Sequence, residues 1–141
     1  MIQRATINEL KTQRAKYPHV ADGVDVDKFF SNPQNIALKE GNNIATFEKV
    51  GTKESQNIFF THIYFDARGR EARDIFLRMA AIIFQDANGA VIYGDVDNRN
   101  IRAIHFDRKF LKCNSMPSDN EGHTLMYMDY PTFKRLHSRE K

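Results

Sequence analysis

The chain has 141 residues, 41% hydrophobic and 28% charged, the proportions of one globular domain with a core of its own. Its net charge of +3 suits an anionic ligand but is not the clustered basic surface of a nucleic-acid binder. A single cysteine, Cys113, excludes an internal disulfide and a cysteine-rich zinc site, and no apolar stretch approaches the ~20 residues that cross a bilayer.

Residues 1–4 open without the apolar segment of a signal peptide, so a soluble, cytoplasmic protein is expected. Residues 2–5 suit a short strand. Thr6-Ile7-Asn8-Glu9 is a capping box that starts a helix carrying Ile7 and Leu10 towards Ala15, ended by Tyr17-Pro18. Residues 20–35 read as loop with room for one more helical turn, and Phe29-Phe30 as an apolar anchor. Strands over 36–39 and 44–50 flank a hairpin turn, and a second polar turn over 51–56 leads on. Residues 57–65 (NIFFTHIYF) carry apolar side chains at odd and even positions alike, which predicts a central strand covered on both faces.

A polar turn with one glycine follows, over 66–71. Ala72, Ile75, Phe76, Met79, Ala80 and Ile83 then recur at helical spacing. Asp86-Ala87-Asn88-Gly89 stops that helix, and 90–93 is a buried strand closed by Gly94-Asp95. A second helix is predicted over 100–109, with Ile101 and Ile104 on its apolar side. Beyond it come a short strand over 110–113, a flexible loop over 114–122, a last strand over 124–130 and a frayed basic tail over 131–141. No repeat or low-complexity linker divides the chain, so residues 1–141 form one domain.

Strand, basic glycine turn and amphipathic helix form a phosphate-binding layout, because the first amides of a helix are unpaired donors at its positive end. Arg68, Arg70 and Arg73 could clamp a phosphate there. Equally, Arg70–Asp74 and Asp74–Arg78 could be pairs one helical turn apart that need no ligand. His62 titrates near neutrality and could act as a base, or simply be a satisfied strand residue, and Tyr64 shares its face. His19, His105, His123 and His137 lack metal-ligand spacing, and Asp95, Asp97 and Asp107 lack the glycine and terminal glutamate of a calcium loop, so no metal is expected. Cys113 reads as a small core residue.

The element order and several residues resemble the GNAT superfamily of acyl-coenzyme A-dependent N-acetyltransferases. Residues 2–10 (IQRATINEL) resemble its first strand and helix start. Residues 96–104 (VDNRNIRAI) resemble its V-x-x-x-N-x-x-A-I run, with Asn100 and Ala103 on the matching positions. Arg68-Gly69-Arg70-Glu71-Ala72-Arg73 occupies the place of the family's [R/Q]-x-x-G-x-[G/A] pyrophosphate cradle. Arg68 and the frequent extra glycine, Gly69, match, while Glu71 and Arg73 replace two glycines. The usual tyrosine acid is replaced by Asp107, the following Gly-Phe by Leu111-Lys112, and the usual base by His62 or, through water, Glu48.

The resemblance implies an α/β fold: a twisted, mostly antiparallel sheet with helices on both faces and splayed central strands. Small phage-encoded GNAT-like proteins with degenerate motifs are similar in size. The expectation is a GNAT-fold protein with a degenerate acetyl-coenzyme A motif, acting as a binding or assembly component for a virion or host protein in the host cytoplasm. The alternative is an active N-acetyltransferase, with Arg68, Gly69, Arg70 and Arg73 holding pyrophosphate, Asn100 ordering the cofactor side, and His62 or Tyr64 handling protons. Nucleic-acid binding through Arg68, Arg70, Arg73, Arg99 and Arg102 is not expected, because no aromatic platform accompanies those arginines.

Overall fold

The computed structural model describes residues 1–18, 20 and 24–139; His19 and the last two residues of the predicted tail lie outside them. In chain order the elements are β1 (Gln3–Arg4), α1 (Ile7–Arg14), α2 (Val26–Ser31), β2 (Ile36–Glu40), β3 (Asn43–Lys53), β4 (Gln56–Tyr64) and α3 (Gly69–Gln85). Then follow β5 (Gly89–Asp97), α4 (Ile101–His105), a π-helical turn (Phe106–Phe110), β6 (Asn114–Pro117), β7 (His123–Asp129) and α5 (Tyr130–Arg139). The strands form one seven-stranded sheet, ordered β1-β2-β3-β4-β5-β7-β6. Every pairing is antiparallel except β4 with β5. The mixed α/β architecture is the one expected, with helices on both faces and β4 at the centre.

Local chemistry explains most boundaries. Thr6 Oγ1 accepts from the Glu9 amide and Glu9 Oε1 accepts from the Thr6 amide, closing the capping box of α1. The predicted loop over 20–35 holds a real helix, α2, whose first turn is capped by the Asp25 carboxylate. The turn predicted over 51–56 shrinks to Glu54-Ser55, both with positive φ, while Gly51 stays in β3 beside a bulge. Helix α3 starts at Gly69, three residues before its apolar stripe, so Arg70 and Glu71 lie in its first turn. Its stop is as predicted, with Asn88 in the left-handed conformation. A β-carbon on Gly89 would lie 2.8 Å from the Ile83 carbonyl oxygen, so only glycine lets the end of α3 pass this close to β5.

The core between the sheet and α3 contains Phe47, Phe59, Phe76, Met79, Ile83 and Ile92. Leu77 and Phe84, outside the predicted stripe, are buried as well. The reason is α5. What reads as a frayed basic tail over 131–139 is a helix capped by the Asp129 carboxylate, which accepts from the Thr132 amide at 3.0 Å. Pro131 sits in the first turn, where a missing N–H does no harm. Phe133 and Leu136, 1% and 7% exposed, pack against α3, with the Phe133 ring 5.1 Å from that of Phe84. A separate cluster of Leu10, Val26, Phe29, Ile44 and Tyr64 joins α1 and α2 to the opposite face.

The region after β5 departs most from expectation. Gly94 and Asp95 do not end the strand, because β7 pairs with it through Asp97↔His123 and supplies the ladder that composition does not suggest. The helix predicted over 100–109 is a short α4 followed by the π-helical turn, in which the Leu111 amide donates to Phe106 O, five residues back. Ile101, expected on the apolar side, is 74% exposed. No strand forms over 110–113; Leu111 is buried and Lys112 turns the chain at φ +53°. Residues 114–117, expected in a loop, pair with β7 as β6.

Candidate functional site

Strands β4 and β5 pair from Asn57↔Gly89 to Phe60↔Tyr93, with a register shift after Asn57, and then part. Beyond that point Thr61–Tyr64 pair only with β3, and Gly94–Asp97 only with β7, which leaves a gap inside the sheet. Thr61 stands where the gap opens. It pairs with Phe47, so its side chain is on the α3 face. Its hydroxyl is buried and has no hydrogen-bond partner among the described residues. Buried hydroxyls are nearly always satisfied, so an orphan beside a gap is a place for a ligand's polar group.

The turn from β4 into α3 is held from below by α1. Asp66 accepts from Tyr17 Oη at 2.5 Å, Gln13 Nε2 at 3.0 Å and Lys16 Nζ at 3.1 Å. Tyr17 and Lys16 lead in drawing its carboxyl down to about pKa 2, and Gln13 adds to them. Arg68 does not reach outward. One of its guanidinium nitrogens donates to Phe65 O at 2.6 Å and Ala67 O at 3.1 Å, and the group lies 5.9 Å from the Tyr17 ring centroid. Gly69 takes φ +59°, which lets the chain turn sharply from the Arg68 carbonyl into α3. The unpaired amides of the first turn begin there, with the exposed Glu71 carboxylate among them.

On the same face, Arg70 and Arg73 from α3 meet Lys109 and Lys112 from the π-helical turn and the bend after it. They line a pocket of about 260 Å³ floored by Leu77, Phe110 and Leu136. Arg73 also forks onto its neighbour Asp74, at 3.0 and 3.2 Å, while Arg78 forks onto Glu40. Four basic side chains thus ring one concavity, two of them predicted arginines and two of them lysines that no linear motif marks. Only the unforeseen bend at Lys112 brings the lysines in.

The opposite face of the gap is different. His62 sits there with its pKa lowered from 6.5, chiefly by burial and also by Arg14, while Asp95 opposes the shift. Its imidazole is therefore mostly neutral at pH 7. Asp95, on β5, accepts from Ser118 Oγ at 2.7 Å and from Asn120 Nδ2, and His123 Nδ1 lies 3.7 Å away. Tyr64, expected to share His62's role, is 2% exposed in the α1–α2 cluster, and burial raises its pKa to about 12. Asn100 is occupied as the cap of α4, accepting from the Ala103 amide at 3.2 Å. Arg99 is engaged by Asp97, at 2.7 and 3.1 Å. Asp107 is 9% exposed inside the π-helical turn, where burial raises its pKa to about 7; burial likewise raises the Cys113 thiol, and the Asp107 charge adds to that.

Comparison with solved structures decides the fold. Apo FdhC, a nucleotide-linked sugar GNAT, aligns over 99% of this chain and 91% of its own at 10% identity, with a TM-score of 0.70. The chain has the GNAT fold. A spermidine N-acetyltransferase chimera from Vibrio cholerae and hSSAT aligns over 95% and 99% of the two chains at 12% identity, TM-score 0.65. An aminoglycoside acetyltransferase in complex with coenzyme A aligns over 97% and 98% at 10% identity, TM-score 0.64. Neither a family model nor a curated protein matches the sequence. Among the described residues, no helix is long and apolar enough to cross a membrane.

Proposed function

We propose that this GNAT-fold chain binds the anionic end of an acyl-coenzyme A on the α3 face and transfers the acyl group to an amine arriving from the α1 face. The observation that carries this reading is the gap itself, with a cationic pocket on one of its faces and a neutral imidazole on the other. The residues suit the cofactor. Arg70, Arg73, Lys109 and Lys112 would hold its phosphates, and the orphan Thr61 hydroxyl would meet a polar group of its arm. Bound there, it supplies a thioester carbonyl open to attack by an uncharged amine. His62 takes the proton from the amine, and the Asp95 charge offsets part of the burial that would otherwise weaken it as a base. With its pKa lowered from 6.5 chiefly by burial, His62 keeps its basic form to lower pH than a free imidazole, so the acid limb of turnover should lie below the ordinary histidine range.

A second reading, a binding or assembly component with a virion or host protein as partner, is favoured by Glu71 and Arg68. The first sets a carboxylate among the amides meant for phosphate, and the second is spent on the turn's own carbonyls. Thermal melting with acetyl-coenzyme A, paired with an acetylation assay, separates the two. A ligand at 100 times its dissociation constant stabilises by about 2.7 kcal/mol, or roughly 6–15 °C for a domain of this size. Acyl transfer predicts such a shift, lost in Arg70→Ala/Lys109→Ala, and a His62→Ala variant that keeps the shift but not the turnover. A wild-type shift below about 2 °C at millimolar acetyl-coenzyme A would leave the binding-component reading.

A further inference from the structure

One row of side chains crosses the open part of the sheet on the face opposite α3. Phe60 on β4 is in register with Tyr93 on β5, and Tyr93 with Tyr127 on β7. Their strand neighbours Phe59, Ile92 and Met128 belong to the α3 core, which fixes the row on the other side. The three half-buried rings touch in sequence, Phe60 to Tyr93 at 5.6 Å and 27°, Tyr93 to Tyr127 at 5.7 Å and 41°. Both tyrosines are only half-buried, so the row keeps part of its surface open to solvent.

Carboxylates stand at two corners of this row. Glu48, exposed on β3, is in register with Phe60 at one end. Asp95 stands two residues beyond Tyr93 on the same face, with Ser118 and Asn120 fixing its carboxylate. The two carboxylates lie two strands and two residues apart, on either side of the point where the gap opens. No lysine or arginine occupies the paired positions of this row or of the next row towards His62 and Leu125; Arg14 of α1 approaches the His62 end of this face and is held by Tyr64. Aromatic faces and carboxylates both attract cations, and the rings also cover methylene chains. The cations of the pocket lined by Arg70 and Lys109 are on the α3 face.

Resting on the acyl-transfer reading, we infer that the acceptor is a small aliphatic diamine or polyamine. It lies along Phe60, Tyr93 and Tyr127 with one ammonium group at Glu48 and the reacting nitrogen at Asp95 and His62. A single-charge amine would use only half of this surface.

Calorimetric titration without any cofactor tests the surface by itself. The probes are 1,6-diaminohexane and n-hexylamine, which share a chain and differ by one charge. The diamine should bind at least ten times more tightly. Glu48→Gln, at an exposed position, should erase that preference, while Tyr93→Leu should weaken both amines alike. Equal affinities in the wild type, or a preference that survives Glu48→Gln, would overturn the assignment and leave acyl transfer standing. A diamine preference in a protein that acetyl-coenzyme A does not stabilise would support this surface while defeating the transfer.

Discussion

The two faces of the sheet around the gap are built on opposite terms. Under α3 and α5 the sheet is sealed: Phe47, Phe59, Met79 and Ile83 are 0–1% exposed, and one basic pocket opens at the side of this core. On the other face α1 and α2 cover only the β2–β4 side, and the surface over β5 and β7 is aromatic and acidic. An apolar seal fixes shape and sets stability; a half-covered surface gives up that stability to stay accessible. The gap is where the two meet, which is why a buried unpartnered hydroxyl and a partly desolvated imidazole lie within one residue of each other, on Thr61 and His62.

Core truncation would break the contrast most sharply. Phe133→Ala on the sealed side should lose about 3–5 kcal/mol, whereas Phe60→Leu on the open side should change stability by only about 1 kcal/mol, both read by urea denaturation. Similar losses would mean that the aromatic row is core.

The second test is of pH. Folding raises the Asp107 pKa from 3.8 to about 7, so the fold disfavours its carboxylate. Its contribution is full below about pH 4 and is lost as pH rises through 7. Asp107→Asn carries no such charge. Its stability relative to wild type should therefore increase by roughly 2–4 kcal/mol between pH 4 and 8. Parallel urea midpoints for the two proteins across that range would show that Asp107 is not desolvated.

The smallest effect belongs to the turn. Gly69→Val, forced to φ +59°, should lose at least about 1 kcal/mol, and Gly69→Asn should recover most of it because asparagine tolerates that conformation. Equal urea midpoints for Val and Asn would remove backbone freedom as the reason for glycine here.

The capping box of α1, the buried β4 and the amphipathic α3 were legible because each is a local pattern that the tertiary structure reinforces. Helix α5 was hidden by its charge and by Pro131, although Asp129 before it and Phe133 and Leu136 a turn apart are the signals of a capped helix with a buried stripe. The extension of β5 through Gly94 could not be read locally, because the pairing is supplied by β7, 26 residues downstream at its nearest pair, Asp97↔His123. Of the candidate site, Arg70, Arg73 and His62 were visible as residue types. Their partners Lys109, Lys112 and Asp95 come together only through the π-helical turn and the parting of the strands, neither of which has a period in sequence.

The sheet's outer strands have a consequence for association. The borders are its two shortest members, β1 with 2 residues and β6 with 4, and β6 ends in Pro117, which has no N–H to offer. Another chain trying to extend the sheet from outside finds almost no unpaired backbone, the usual defence against edge-to-edge aggregation. The longer unpaired stretches lie in the interior, where Thr61–Tyr64 and Gly94–Asp97 face each other without bonding. Any extended, amide-bearing molecule that completes this sheet must do so from within.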